Sequence, residues 1–136
     1  VLNADDPNVV DAASEVTSPV WWFSLDSVSA QIAQAQKLGQ PCAYLRDGAL
    51  IFFDCIAEVF SIAVTDVPLT LSGAAKHNIH NALAAICTCI ALGAPTKAIH
   101  SGLSSFVSDP VNNPGRFNEF TYNGAKIVVD FAHNAH

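Results

Sequence analysis

Apolar residues change their spacing several times along the chain, and each change marks an element. Val1 and Leu2 read as the end of a buried strand. Asp6 followed by Pro7 supplies an N-cap and a proline at the first helical position, which opens a short helix to about Ser14. The aromatic and β-branched run from Val20 to Ser24 predicts a second strand. Asp26 or Ser27 then caps a helix whose apolar positions Val28, Ile32 and Ala35 recur at helical spacing and which ends near Gly39. Strand, helix, strand and helix in sequence predict parallel pairing in an α/β sheet. Two hairpins follow. Cys42 to Arg46 and Ala49 to Phe53 flank Asp47-Gly48, and Phe117 to Tyr122 and Ala125 to Asp130 flank Asn123-Gly124. Both dipeptides favour tight primed turns. Between the hairpins lie a strand around Phe60 to Val64, a helix from about His77 towards Gly93, and a helix from about Pro95 to Phe106 with Ile99, Leu103 and Phe106 on one face. No internal repeat or low-complexity tract interrupts this order.

The longer of those two helices has an unusual start. At about 100° per residue, Ile79, Leu83, Ile86 and Ile90 fall in a stripe about 60° wide, which is the core face. Asn78 and Asn81 sit together about 140° away, with Ala82, Ala85 and Cys89 expected close to them as a floor of small side chains. An amide carries both a donor and an acceptor, so the pair can read the edge of a planar heterocycle such as adenine beside a helix N-terminus that favours anions. The competing reading is that Asn78 caps the helix and Asn81 faces water. His77 and His80 lack a third ligand at metal spacing and read as surface or satisfied histidines. Asp5 and Asp6 are neighbours, and capping the following helix is their expected job rather than metal binding.

A second polar cluster lies further on. Asn112-Asn-Pro-Gly-Arg116 is a turn that presents an arginine, and Asp130-Phe-Ala-His-Asn134 places a carboxylate, a ring, an imidazole and an amide just after an apolar strand. Polar groups beyond the carboxyl end of a strand are where α/β folds hold ligands. The arginine fork suits phosphate or carboxylate, and the aspartate can orient it, a ribose hydroxyl or a hydrated metal ion. Taken one at a time, the same residues also read as a Pro-Gly turn with an exposed arginine and an ordinary strand-ending aspartate.

Composition narrows the function classes. Of the 136 residues 51% are hydrophobic and 13% charged, which describes a globular chain. A net charge of -6 argues against a broad nucleic-acid surface. No apolar run reaches the roughly 18 residues that span a membrane, and no basic-then-apolar leader opens the sequence, so a cytoplasmic protein with no membrane partner is expected. Cys42, Cys55, Cys87 and Cys89 form no C-x-x-C pair, and Cys87 and Cys89 point to different helix faces; all four are expected to be small reduced core residues. Trp21 and Trp22, adjacent in a strand, are expected to send one ring to each face as core packing.

The ordered set of Val1-Leu-Asn-Ala-Asp-Asp-Pro7, Gly73 with Lys76-His-Asn78 and Asn81-Ala-Leu-Ala-Ala85, Leu92-Gly93, Gly115-Arg116 and Asp130-Phe-Ala-His-Asn134 resembles the Mur ligase family over essentially the whole chain. The form Asn-Pro-Gly-Arg-Phe-Asn, a short hairpin and then Asp-Phe-Ala-His-Asn most resembles the Mur-ligase-like part of cyanophycin synthetase and its stand-alone relatives. Peptidoglycan-precursor ligases and folylpolyglutamate synthases are more distant. The resemblance implies an ATP-dependent carboxylate–amine ligase that forms an amide bond through an acyl phosphate, with amino-acid and carboxylate or peptide substrates. By the same resemblance Asn78 and Asn81 lie near the adenine, Arg116 and Asp130 help hold ribose and phosphates, and Phe131 and His133 line the nucleotide. Phe131 stands where the family has tyrosine, and Ala135 where it has proline.

Departures from the family pattern set further expectations. The phosphate-binding run Gly-x-x-Gly-Lys-Thr or Ser is absent from the sequence. So are the upstream glutamate and histidine that hold Mg2+, whose ligands are therefore expected outside these residues. The implied architecture is the later part of a mostly parallel P-loop-type ATPase sheet with added antiparallel hairpins over residues 1–114, followed over 115–136 by the first hairpin of a Mur-type C-terminal domain. Such a piece is expected to be inactive by itself. A non-catalytic nucleotide-binding module and a structural or interaction domain are the competing classes.

Overall fold

A computed structural model of the protein describes residues 1–131. It divides into two compact units, Val1–Ser105 and the residues from Phe106 onward. The first is built on a five-stranded sheet in the order β1 (Leu2–Asn3), β2 (Trp22–Ser24), β3 (Cys42–Arg46), β4 (Ala49–Phe53), β5 (Glu58–Ala63). The β1–β2 and β2–β3 pairs are parallel, whereas β3–β4 and β4–β5 are antiparallel. The sheet is therefore mixed, its parallel half made by the strand–helix alternation and its antiparallel half by the Asp47-Gly48 turn. That turn has positive φ at both residues, 51° and 73°, which matches the right-handed twist of the strands it joins.

Side chains alternate between two cores. On one face Phe23, Ala43, Leu50, Phe52, Phe60 and Ile62 pack with helix α3 (Lys76–Ala91) and with Ile99 of α4 (Thr96–Ser105). On the other face Cys42, Tyr44 and Ile51 pack with Ile32 and Ala35 of α2 (Ala30–Lys37). The tryptophans divide as the period of two demands: Trp21 packs on the α3 side, 5.6 Å from the Phe52 ring, and Trp22 on the α2 side. Glu58 ties the antiparallel strands together by accepting from Tyr44 Oη at 2.8 Å and from both terminal nitrogens of Arg46 at 2.6 and 2.8 Å.

Several local expectations change. Helix α1 (Pro7–Ala12) starts as expected, with the Asp6 carboxylate accepting from the Asn8 amide. Helix α2 starts later than expected, after Ser29, because Asp26 instead closes a turn by accepting from the Val28 amide. Val28 is consequently outside the helix and 78% exposed. Of the cysteines only Cys42 and Cys87 are core residues; Cys89 is half-buried and Cys55 is exposed. Among the described residues no helix is long and apolar enough to cross a membrane.

The second unit contains β6 (Asn118–Tyr122) and β7 (Ala125–Val129), an antiparallel pair turned by Asn123-Gly124 with φ of 49° and 79°. The register opposes Asn118 to Val129 and Tyr122 to Ala125.

The α3 stripe sets the stability of the first unit. Leu83 is fully buried, so Leu83→Ala is expected to cost about 2–5 kcal/mol in urea unfolding. Leu92→Ala, at a position 82% exposed, should change stability by less than about 0.5 kcal/mol.

Candidate functional site

Helix α3 begins where two side chains tie it down. Its N-cap is Ala75, with no side-chain cap bond, so Asn78 is not the cap. The Asn78 amide instead donates through Nδ2 to the Leu69 carbonyl at 2.9 Å, pinning the first turn to the 3-10 segment Pro68–Thr70. Asn81 donates through Nδ2 to Asn78 Oδ1 at 3.3 Å. The two asparagines thus form a relay from the backbone outward. Asn78 is half-buried and Asn81 exposed, so Asn81 presents the outer amide. The expected floor of small residues is only partial: Ala85 is exposed, but Ala82 is 2% exposed and belongs to the core. The stripe that faces the sheet is wider than the four residues Ile79, Leu83, Ile86 and Ile90, and it takes in Ala82 and Cys87.

On the other side of the same turn, His80 Nε2 lies 2.8 Å from Asp5 Oδ2. Asp5 follows β1 and also accepts from Ser24 Oγ at 2.5 Å and from the Leu25 amide at 2.7 Å, both at the carboxyl end of β2. Burial pushes the Asp5 carboxyl up, but the bonds from Ser24, Leu25 and His80 together outweigh it and hold the group below its ordinary value. Ser24 is fully buried and its Oγ also accepts from the Asp26 amide at 2.9 Å. The sequence reading missed this junction, which joins residues 19 and 75 positions from Asp5. One signal was available: Asp6 alone suffices to cap α1, which leaves Asp5 without a local partner immediately after a strand. His77 is exposed.

In the second unit the polar cluster is organised by Asn118, which is 2% exposed. Its Oδ1 accepts from the Gly115 amide at 2.6 Å, and its Nδ2 donates to the carbonyls of Asn113 at 3.0 Å and Arg116 at 3.3 Å. The turn is thereby fixed from inside. Asp130 Oδ2 accepts from the Phe117 amide at 2.8 Å, and the Phe131 amide donates to the Gly115 carbonyl at 2.9 Å. The Phe131 ring lies over Gly115, so close that a Cβ there would stand 2.5 Å from a ring carbon. The Arg116 guanidinium lies 5.5 Å from the centre of that ring, within cation–π range. Arg116, Asp130 and Phe131, scattered over 15 positions, are therefore neighbours. His133 lies outside the described residues.

No group of three His, Cys, Asp or Glu side chains that could hold a metal ion is present among the described residues. Asp5 and Asp6 do not act together: one carboxylate holds Ser24, Leu25 and His80, and the other caps α1.

Comparison with known proteins adds independent information. The chain is 31% identical over 134 residues to the cyanophycin synthetases of Crocosphaera subtropica and of a Synechocystis species; each alignment takes in 98% of the chain and 15% of the relative. It is 37% identical over 106 residues to the UDP-N-acetylmuramate--L-alanine ligase of Chromobacterium violaceum, covering 78% of the chain and 21% of that enzyme. The chain thus spans about a seventh to a fifth of the curated relatives it matches. No family model matches it.

The two polar networks respond to different perturbations. A carboxyl held below its ordinary value stabilises the fold at pH values above that of the unfolded chain, and this contribution is lost as pH falls through the folded value. For Asp5 the ordinary value is 3.8, so urea unfolding measured between neutral and strongly acid pH should lose stability below about that point, and Asp5→Asn should flatten this limb. In the second unit, Asn118→Ala removes three bonds to backbone groups. Faster amide exchange at Gly115 is the expected result, and Asn118→Asp, which keeps the Oδ1 acceptor but turns the donor facing two carbonyls into a second acceptor, should not restore the protection.

Proposed function

The chain is Mur-ligase-like, and from that premise we propose that the protein it belongs to is an ATP-dependent carboxylate–amine ligase of the cyanophycin-synthetase type. The reading is supported above all by the similarity to cyanophycin synthetases along 98% of the chain. In this reading ATP phosphorylates a substrate carboxylate, the amine of an amino acid attacks the acyl phosphate, and phosphate leaves from the tetrahedral intermediate. Phosphoryl transfer of this kind depends mainly on positioning and on neutralising charge. Mg2+ would supply part of that neutralisation, from ligands outside residues 1–136.

The chain's own residues take the nucleotide's other end. Asn81 offers Oδ1 and Nδ2 to the edge of adenine, and Asn78, tied to Leu69, orients it. Arg116 provides a guanidinium for phosphate, Asp130 a carboxylate for ribose, and Phe131, 69% exposed, an apolar face. His133 joins them in this reading. Residues 1–114 would form the later part of the ATPase domain and 115–136 the start of the C-terminal domain. The similarity to UDP-N-acetylmuramate--L-alanine ligases favours one second reading, in which the acceptor is a peptidoglycan precursor.

The test is ADP release by the full-length protein, measured with each common amino acid against two acceptors, poly-aspartate and a UDP-linked sugar carboxylate. Release with poly-aspartate is expected; release with only the sugar acceptor would select the second reading. No release with any pair would sink the ligase proposal. Asn81→Ala should weaken ATP binding about 10-fold, as befits the loss of one paired amide contact.

A further inference from the structure

Around the first turns of α3, Asn81 stands between two anchors. At about 100° per residue it points about 170° from the centre of the core stripe, with Asn78 about 60° to one side and His80 about 100° to the other. Asn78 is bonded to the Leu69 carbonyl and His80 to Asp5. Both contacts reach off the helix, to opposite flanks of the exposed amide between them. The first lies only nine residues away in sequence; the second crosses 75 and fastens the helix to the ends of two parallel strands.

Asp5 is built to be rigid. Its two oxygens receive a buried hydroxyl, a backbone amide and an imidazole, and its own amide donates to Asn3 Oδ1 at 2.9 Å. A carboxylate only accepts, so His80 Nε2 carries a hydrogen in this contact whatever the ring's charge. The ring is further held edge-on to Phe23, 6.2 Å between centres. A helix N-terminus anchored on a single side can still roll about its core stripe. Anchored on both, it holds the intervening side chain at one angle to the carboxyl edge of the sheet.

We propose that Asp5 is a positioning residue for the nucleotide: through His80 it locks the roll of α3 and so sets the angle at which Asn81 meets adenine. This rests on the reading of Asn81 given above and adds the device that aims it. Asp5 itself touches no ligand, and its effect passes through α3.

A double-mutant cycle on the full-length protein, read as ATP affinity by calorimetry, separates the two claims. Asp5→Asn and His80→Leu should each weaken ATP binding about 5-fold, and His80→Gln, whose amide can still donate to Asp5, should recover most of it. In an Asn81→Ala background His80→Leu should have no further effect, because the side chain it aims is gone. Additive losses would overturn the proposal, as would a His80→Leu protein that binds ATP like the wild type. If Asn81→Ala alone leaves affinity unchanged, the adenine reading fails first and the positioning proposal fails with it. Should Asp5→Asn not fold, which thermal unfolding reports, the His80 pair carries the whole test.

Discussion

Burial of the sheet on both faces is the constraint from which the rest of the first unit follows. Most of β3 and β4 is buried, with Cys42, Ala43, Tyr44, Leu50 and Phe52 each at most 1% exposed. Two strands this apolar need a helix on each side, and α2 and α3 supply them. Because α3 is the longer and presents Ile79, Ala82, Leu83 and Ile86 to the sheet, packing decides which face of it the sheet covers. Its first turn then emerges at the carboxyl edge of the parallel half, near the ends of β1 and β2, as the His80–Asp5 contact shows.

That edge is where polar groups accumulate, and the reason is geometric. Parallel strands leave their terminal backbone groups and the loops after them on one side of the sheet, beside the start of the helix packed on it. Asp5, Ser24, Leu25 and His80 satisfy one another there, so a carboxylate and a buried hydroxyl are accommodated without an unpaired partner. What is left facing outward is Asn81. Asn81 is exposed, while its neighbours on both flanks are engaged, Asn78 with Leu69 and His80 with Asp5.

The second unit solves a similar problem with less material. A two-stranded hairpin has little core, and here one buried amide, Asn118, holds the preceding turn by three bonds. Gly115 matters for its missing side chain: the Phe131 ring occupies the space a Cβ would take, and Arg116 lies over that ring. The polar cluster is thus built from a turn, a buried asparagine and the residues just after β7, with no helix involved.

Much of this was written in the sequence because it depends on neighbours along the chain. The Asp47-Gly48 and Asn123-Gly124 turns, the Asp6-Pro7 start of α1 and the isoleucine stripe of α3 each follow from local backbone preference or from one period, and each is found where expected. Pairing the adjacent tryptophans with opposite cores needed only the strand's period of two. Local reading failed where competing local bonds were equally plausible: Asp26 closes a turn rather than capping α2, which leaves Val28 exposed, and Asn78 reaches Leu69 rather than capping α3. The order of chemistry-bearing residues was legible, and so was the amide pair. Which of the two amides faces outward, and that Asp5 fastens the helix carrying them, only the tertiary structure decided. Hydrogen bonds across 19 and 75 residues have no periodicity to betray them; the first exists because parallel pairing of β1 with β2 sets Asp5 beside Ser24, the second because packing of α3 on the sheet brings His80 to the strand ends.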